Sequence, residues 1–292
     1  MQKPEWLVLP APNAQHMDNI RDLLGKGHLH SVCESAQCPN IGECFANKTC
    51  TFMILGDICT RNCAFCAVTH GKPGLPDPDE PEKLALTAKQ LGLRHVVVTS
   101  VTRDDLPDGG AGHFAETIKA IKRETPDVTV EVLIPDFKGN EAALQQVIDA
   151  NPEVINHNVE TIPRLYPTVR PSAKYQQSLQ LLRNVSRLST RQSITTKSGL
   201  MLGLGETKDE VVQVMKDLLE FGCNTLTIGQ YLAPSPNHHP VIEYVHPDQF
   251  NELSEIGTEL GFYQVVSGPL VRSSYHAGES FARLSSECGL CR

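Results

Sequence analysis

Seven of the ten cysteines fall between positions 33 and 66. Six of them form two triplets of different spacing. Cys33, Cys38 and Cys44 read C-x4-C-x5-C, and Cys59, Cys63 and Cys66 read C-x3-C-x2-C. Three thiolates close together suit a [4Fe–4S] cluster, whose irons take thiolate ligands. Each triplet leaves one iron without a cysteine, and an open iron binds a substrate or cofactor directly, as an open zinc position does. The competing uses of the second triplet are a structural zinc completed by His70, or reduced thiols with no role. A zinc ribbon brings a second C-x2-C pair at a set distance, and none follows there. Cys50 and Cys223 stand alone and read as small buried hydrophobes. Cys288 and Cys291 form a C-x2-C close to the C-terminal end, with the spacing of a metal or dithiol pair, and otherwise read as a tail bearing reactive thiols.

The elements that position these cysteines belong to a chain of 292 residues, 40% hydrophobic and 21% charged. That is ordinary globular composition with enough length for a sizeable core. The net charge of −8 gives no case for nucleic-acid or membrane binding. The opening MQKPEWLVLPAPNA lacks a basic segment followed by an apolar run, and no window reaches membrane-spanning length. The expectation is a cytoplasmic protein, whose clustered cysteines hold metal rather than pair as disulfides.

Residues 1–50 contain one short helix, at "NIRDLLGKG", within a Cys-, Asn-, Gly- and Pro-rich extension. From 52 onward apolar strands alternate with amphipathic helices. The strands are "FMILGD", "LRHVVVTSV", "VTVEVLIP", "EVINHN", "SITTKSGLML" and "CNTLTIGQYL". The helix after the fifth strand opens on a capping box, Thr207 with Glu210. Such alternation builds right-handed βαβ units and a buried parallel sheet. Six units predict an α/β fold, a partial (β/α)6 TIM-type barrel over 51–262, flanked by extensions at 1–50 and 263–292. Polar residues recur where strands end, at Asp57, Thr99–Ser100, Pro135–Asp136, Asn156–His157–Asn158 and Gln230–Tyr231. In barrels that face carries the active site.

C-x3-C-x2-C after the first strand, with Phe65 just before its last cysteine, resembles the radical S-adenosylmethionine superfamily. The resemblance implies that the open iron chelates the amino and carboxylate groups of S-adenosylmethionine, and that Phe65 packs near the adenine. It also implies that one electron from the cluster releases a 5′-deoxyadenosyl radical. The two triplets together resemble the lipoyl synthase family, through "CESAQCPNIGECF", "GDICTRNCAFCAV", "VVVTSVTRDDLPDGGAGHF", "IPDFKG", "NHNVETIPRLYPTVRP", "TKSGLMLGLGET", "QYLAPSPNHHPVIEYVHP" and "GPLVRSSYHA". That family inserts sulfur at C6 and C8 of an octanoyl chain carried on a lysine of a lipoyl carrier domain.

The likeness implies two [4Fe–4S] clusters and S-adenosylmethionine as cofactors. Cys59, Cys63 and Cys66 hold the radical-generating cluster. Cys33, Cys38 and Cys44 hold an auxiliary cluster consumed as sulfur donor. Ser274, in the run Arg272–Ser273–Ser274–Tyr275, supplies that cluster's fourth ligand. An alkoxide is a poorer match to iron than thiolate, which suits a ligand meant to leave. For S-adenosylmethionine the candidates are Thr99, Ser100, Arg103, Asp104 and Asp105 after the second strand, Asn158, Glu160 and Arg170 after the fourth, and Gln230 and Tyr231 after the sixth. Arg170 suits the methionyl carboxylate. Implied partners are the octanoylated lipoyl carrier domain or the H-protein of glycine cleavage, a reduced ferredoxin or flavodoxin, and an iron–sulfur carrier that rebuilds the spent cluster.

Two further features carry expectations. "GLGET" lacks the third glycine of a dinucleotide fingerprint, so Gly203 and Gly205 read as a tight strand–helix turn. Residues 161–200 hold seven Lys or Arg and no Asp or Glu, which suggests an electrostatic dock for an acidic carrier domain. The alternatives to sulfur insertion into an octanoyl chain are a sulfur inserter acting on a biotin-like or tRNA substrate, or a non-catalytic zinc-binding module.

Overall fold

A computed structural model describes residues 2–9, 13–46, 50–189 and 193–288. Helix α1 (Ala14–Gly27) starts where the Asn13 side chain accepts the Gln15 N–H, and closes on His28 at φ 52°. It is followed by β1 (His30–Ser31), α2 (Val32–Ser35) and α3 (Ile41–Ala46). The alternating part comprises β2 (Thr51–Ile54), α4 (Glu80–Leu91), β3 (His95–Ser100), α5 (Ala111–Glu124), β4 (Thr129–Leu133), α6 (Glu141–Asp149) and β5 (Val154–Asn156). It continues through α7 (Tyr166–Val169), α8 (Tyr175–Leu188), β6 (Thr195–Leu202), α9 (Lys208–Glu220), β7 (Thr225–Gln230), α10 (Pro247–Leu260), β8 (Gln264–Gly268) and α11 (Ala277–Cys288).

The strands lie in one open sheet in chain order, β1 to β8. A doubly wound sheet reverses its order at a switch point, and uninterrupted order is the winding of a barrel. β1 is antiparallel to β2, whereas β2, β3 and β4 run parallel, as do β6, β7 and β8.

The chain divides into two compact units. One comprises Leu9–Arg61 and Ala67–Ile155. Its core joins Phe52, Ile54, Val96, Val98, Val130 and Val132 of the strands to Leu84, Phe114 and Ile118 of α4 and α5, all buried. Each such side chain contributes about 2 kcal/mol when removed from water. Beyond β2 the chain turns through Leu55 and Gly56, both at positive φ. The Leu55 N–H donates to Glu80 Oε2 at 2.9 Å, and its carbonyl accepts from the buried Arg103 guanidinium at 3.2 Å. Glu80 also meets His113 Nε2 at 2.7 Å. This buried polar set fixes the strand end from which the second triplet departs.

The other unit comprises Met1–Val8, Asn62–Cys66 and Asn156–Arg292. Its core packs Leu179 and Leu182 of α8, Leu200, Leu226 and Ile228 of the strands, Met215 of α9 and Phe250 of α10. The expected capping box opens α9, with Thr207 and Glu210 exchanging side-chain and backbone hydrogen bonds. Pro247 begins α10 under a His246 cap, and Trp6 meets the His246 ring edge-on at 5.1 Å.

The six anticipated strands are β2 to β7. The structure adds β1 and β8, both at sheet edges. β8 pairs in parallel with β7 although all its residues are only half-buried. An edge strand with no fully buried face carries a weak apolar signal. Helix α1 starts earlier than the expected run "NIRDLLGKG", at Ala14, and ends with it at Gly27.

Candidate functional site

Cys59 sits in the loop after β2. Its backbone N–H donates to Thr69 O at 2.8 Å and its carbonyl accepts from Gly71 at 2.9 Å, beside a bridge to His70. Its sulfur accepts two backbone N–H groups, from Arg61 at 3.4 Å and Thr102 at 3.3 Å. Paired N–H donors around a sulfur suit an anionic thiolate on iron. Arg61 extends between the half-buried Asp104, at 2.7 Å, and the buried Asp136, at 2.6 Å.

Cys63 and Cys66 belong to the other unit. Cys66 N–H donates to Cys63 O at 3.1 Å, and Ala64 N–H to Val169 O at 2.9 Å. Two consecutive histidines hold this segment. His239 N–H donates to Ala64 O at 2.8 Å, and His238 Nε2 donates to Cys66 O at 3.1 Å while its Nδ1 meets Ser235 Oγ at 2.8 Å. Phe65 packs against the core of that unit. Among the described residues no three His, Cys, Asp or Glu side chains converge as ligands of a single ion. A [4Fe–4S] cluster takes one thiolate per iron, so its cysteines stand apart.

In the first triplet, Cys33 lies in α2, where the Ser31 hydroxyl caps its N–H at 3.1 Å. The Cys38 N–H returns to Cys33 O at 2.9 Å, past Gln37 at φ 51°, and Cys44 sits in α3 with its N–H on Asn40 O. Cys50 is buried beside this group. Burial, and then the charges of Cys33 and Cys44, push its thiol far above the usual range. It remains protonated, as a small hydrophobe does. Burial likewise lifts the Cys223 thiol to about 12.

The cofactor candidates separate by whether their polar atoms are already used. Thr99 Oγ1 donates to Leu133 O at 3.1 Å, inside the sheet. Asp105 takes two bonds from Arg103, both at 2.9 Å, and Arg103 is itself held by Leu55 O and Gly74 O. Gln230 Nε2 lies on the carbonyls of Leu202, Tyr231 and Glu243, and its Oε1 accepts Val245 N–H. Tyr231 Oη donates to His239 O at 2.7 Å. These side chains brace loops. Ser100 Oγ, Asn158 Oδ1 and Arg170 Nε, by contrast, are buried without a hydrogen-bond partner in the protein. Orphaned buried polar atoms are costly unless something else meets them, and they are among the buried atoms that a polar zwitterion such as S-adenosylmethionine could complement.

Asn158, Glu160 and Arg170 share one polar cluster. Asn158 Nδ2 donates to Glu160 Oε1 at 3.1 Å and to Ser273 Oγ at 2.7 Å. Arg170 Nη1 donates to Asn158 O, Val159 O and Tyr166 Oη. Burial raises the Glu160 carboxyl pKa, against the pull of Arg170. For Arg170, burial opposes its charge and is outweighed by Tyr166, Glu160 and Cys63. Glu160 stands at φ 65°, which turns the chain so that its own N–H and C=O still pair with Gly199 and Met201.

The structure accounts for the expected turn at 203–207 and for the basic interval. The glycine turn at 203–207 is closed by its own Glu206, whose carboxylate accepts the Gly203 and Leu204 N–H groups at 2.6 and 3.0 Å. Gly203 is needed because a Cβ there would lie 2.2 Å from Gln230 Nε2. The basic interval is partly buried and partly exposed, with Lys174, Arg183 and Arg187 on the surface. Arg170 and Lys197 are buried, Arg164 pairs with Glu210, and Arg183 lies over the Phe221 ring at 3.9 Å. Arg191 and Cys291 lie outside the described residues. Among the described residues no helix is long and apolar enough to cross a membrane.

Thr60, Arg61, Asp136, His238 and His239 support the second triplet and carried no assigned role in the sequence reading. Thr60 and Arg61 had a signal in their place between the cysteines. The histidines stood in the run "QYLAPSPNHHPVIEYVHP", far along the chain, with nothing there to link them to the cysteines.

The radical SAM superfamily model matches residues 53–218, which include the second triplet and run from β2 to α9. The chain thus belongs to the radical S-adenosylmethionine enzymes. Solved structures agree on the fold: methylornithine synthase (PylB) superposes with a TM-score of 0.52 at 15% identity, over 84% of this chain and 73% of that one. Two curated relatives are far more similar. A lipoyl synthase of Caldanaerobacter subterraneus subsp. tengcongensis is 58% identical over 97% of this chain and 99% of its own length. One of Caldicellulosiruptor bescii is 55% identical over 95% and 94%. The chain is a member of the lipoyl synthase family.

Proposed function

We propose that this chain is a sulfurtransferase that inserts two sulfur atoms, at C6 and C8, into an octanoyl chain held as a lysine amide on a carrier domain. The observation that carries this reading is 58% identity to a lipoyl synthase over 97% of the chain. Both cysteine triplets and the run Arg272–Tyr275 lie within this sequence. Cys59, Cys63 and Cys66 hold one [4Fe–4S] cluster. Cys33, Cys38 and Cys44 hold the second, with Ser274 as its fourth ligand. When bound, these groups and S-adenosylmethionine supply the electron, the hydrogen-abstracting radical and the sulfur.

The chain's own residues bind and orient. The N–H groups of Arg61 and Thr102 donate to the Cys59 sulfur. His238 and His239 fix the carbonyls of the Cys63–Cys66 turn. Asn158, Glu160 and Arg170 offer acceptors and a cation to the amino and carboxylate groups of S-adenosylmethionine, Ser100 offers a hydroxyl, and Phe65 an apolar face. The protein substrate is an octanoylated lipoyl domain or H-protein. The reductant is a low-potential carrier such as ferredoxin or flavodoxin, and an iron–sulfur carrier restores the auxiliary cluster. The biotin-like, tRNA and zinc-module readings are not favoured by relatives of this similarity.

The test is anaerobic reconstitution followed by incubation with an octanoyl-lysyl peptide, S-adenosylmethionine and a reductant. About eight irons per chain are expected for two [4Fe–4S] clusters. The peptide should gain the mass of one sulfur and then of two. Bound zinc with an unchanged peptide overturns the reading.

A further inference from the structure

Thr60 and Arg61 lie between two cysteines of the second triplet, yet their side chains point to the ends of other strands. The Arg61 side chain is only 7% exposed, and it faces Asp136 at 0% and Asp104 at 23%. It donates four hydrogen bonds: Nε and Nη2 to Asp104 at 2.7 and 3.0 Å, and Nη1 and Nη2 to Asp136 at 2.9 and 2.6 Å. Thr60 stitches the same region. Its N–H and hydroxyl both donate to Thr102 O, and its oxygen accepts Asp104 N–H at 3.0 Å. Asp136 in turn caps the turn at Lys138, whose ammonium reaches Asp104 O at 2.9 Å. One guanidinium thus ties the loop after β2 to those after β3 and β4. The same arrangement holds Thr102 N–H on the Cys59 sulfur.

We propose that Arg61 is a positioning residue that sets the reduction potential of the cluster on Cys59, Cys63 and Cys66, through the charge of the Arg61–Asp104–Asp136 triad and the N–H···S bonds it maintains. The inference rests on the assignment of that cluster made above. Potentials of iron–sulfur centres follow nearby charge and hydrogen bonds to sulfur. With Arg61 present the triad carries one net negative charge. Without it two carboxylates remain close together beside Cys59. Their repulsion moves the 102–104 segment and draws Thr102 N–H off the sulfur. Both effects lower the potential and disfavour reduction. Replacing Asp104 by Asn removes one negative charge and acts in the opposite sense. Lysine at 61 keeps the charge and loses the two-pronged geometry.

The test uses the full-length reconstituted chain. Iron and sulfide are counted, melting is recorded, and the reduced cluster is titrated by electron paramagnetic resonance. The relevant signal is the one that changes shape when S-adenosylmethionine is added. In Arg61→Gln the reduced-to-oxidised ratio at a fixed potential is expected to fall about tenfold, equivalent to about 59 mV for a one-electron couple. In Asp104→Asn it rises, and Arg61→Lys lies between the native chain and Arg61→Gln. A brace without electrostatic influence would alter melting and leave the potentials unordered by charge. Should Arg61→Gln fail to hold iron, Asp104→Asn decides alone: an unchanged or lowered potential overturns the proposal. A native chain that shows no such signal overturns the cluster assignment instead.

Discussion

Asn158 Nδ2 donates to Ser273 Oγ at 2.7 Å, joining positions 115 apart in the chain. Asn158 follows β5 and is a candidate for holding S-adenosylmethionine. Ser273 is the immediate neighbour of Ser274, the proposed auxiliary ligand. Gly199 lies against both: a Cβ there would stand 2.6 Å from Asn158 Oδ1 and 2.9 Å from Ser273 Oγ. The middle of β6 is therefore shaped around this one hydrogen bond.

Gly199→Ala should push the pair apart and displace the orphaned Asn158 oxygen. Affinity for S-adenosylmethionine is expected to fall about tenfold, or about 1.4 kcal/mol. Equilibrium dialysis with labelled cofactor measures it. Native affinity in the variant would remove Asn158 from the site.

Ser274→Ala and Ser274→Cys test the leaving ligand. Both should slow sulfur insertion, the alanine by loosening the cluster and the cysteine by binding it too well. Product masses over time give the rates. A normal rate for both sulfurs in either variant would dismiss the idea.

His238→Ala leaves the Cys66 carbonyl without its imidazole donor. Removal of such supporting bonds weakens metal retention by about 10- to 100-fold. Transfer of iron to a chelator should quicken accordingly, and His238→Gln should restore part of the loss.

Glu210 serves both the α9 capping box and Arg164, and the bond from Arg164, followed by the Thr207 N–H, lowers its carboxyl pKa from 4.5 to about 2. A carboxyl with a depressed folded pKa stabilises above its unfolded value and loses that contribution as pH falls through the folded one. The Glu210→Gln variant should therefore melt earlier than the native chain at pH 7, and the difference should vanish between about pH 4.5 and 2. Loss of the cap is worth about 1 kcal/mol. A gap between the melting curves that persists at pH 2 would contradict the assignment.

Arg183→Glu breaks the contact over Phe221 and adds a carboxylate near Glu220, which Arg183 approaches at 3.9 Å. Stability should fall by about 1 kcal/mol, while KM for the octanoyl-lysyl substrate stays within about twofold of native. A raised KM with unchanged melting would support the basic dock anticipated from the charge count.

Much of the fold was legible because the apolar periods are long. Val96–Val98 and Ile228 belong to runs that only a buried strand explains, and α9 announces itself by Thr207 and Glu210. β8 stayed hidden because its residues are half-buried on both faces. At the site, the cysteines stood out by spacing alone. Among their supports, Thr60 and Arg61 were visible but mute, since nothing local tells that Arg61 meets carboxylates 43 and 75 positions away. The expected cofactor residues divided for the same reason. Gln230 and Asp105 look like ligands in a sequence, and only their partners reveal that their polar atoms are already engaged.

Residues 62–66 belong with a unit made chiefly of residues 156–292. The carbonyl of Cys66 is met by His238, 172 positions later. During synthesis on the ribosome, the second triplet therefore emerges long before the histidines that hold its turn. Iron delivered to a nascent chain would find the cysteines without their supports. A gene split after residue 155 would leave both triplets in the first product and the histidine supports in the second, so the two products would have to meet before the turn at Cys63–Cys66 is held.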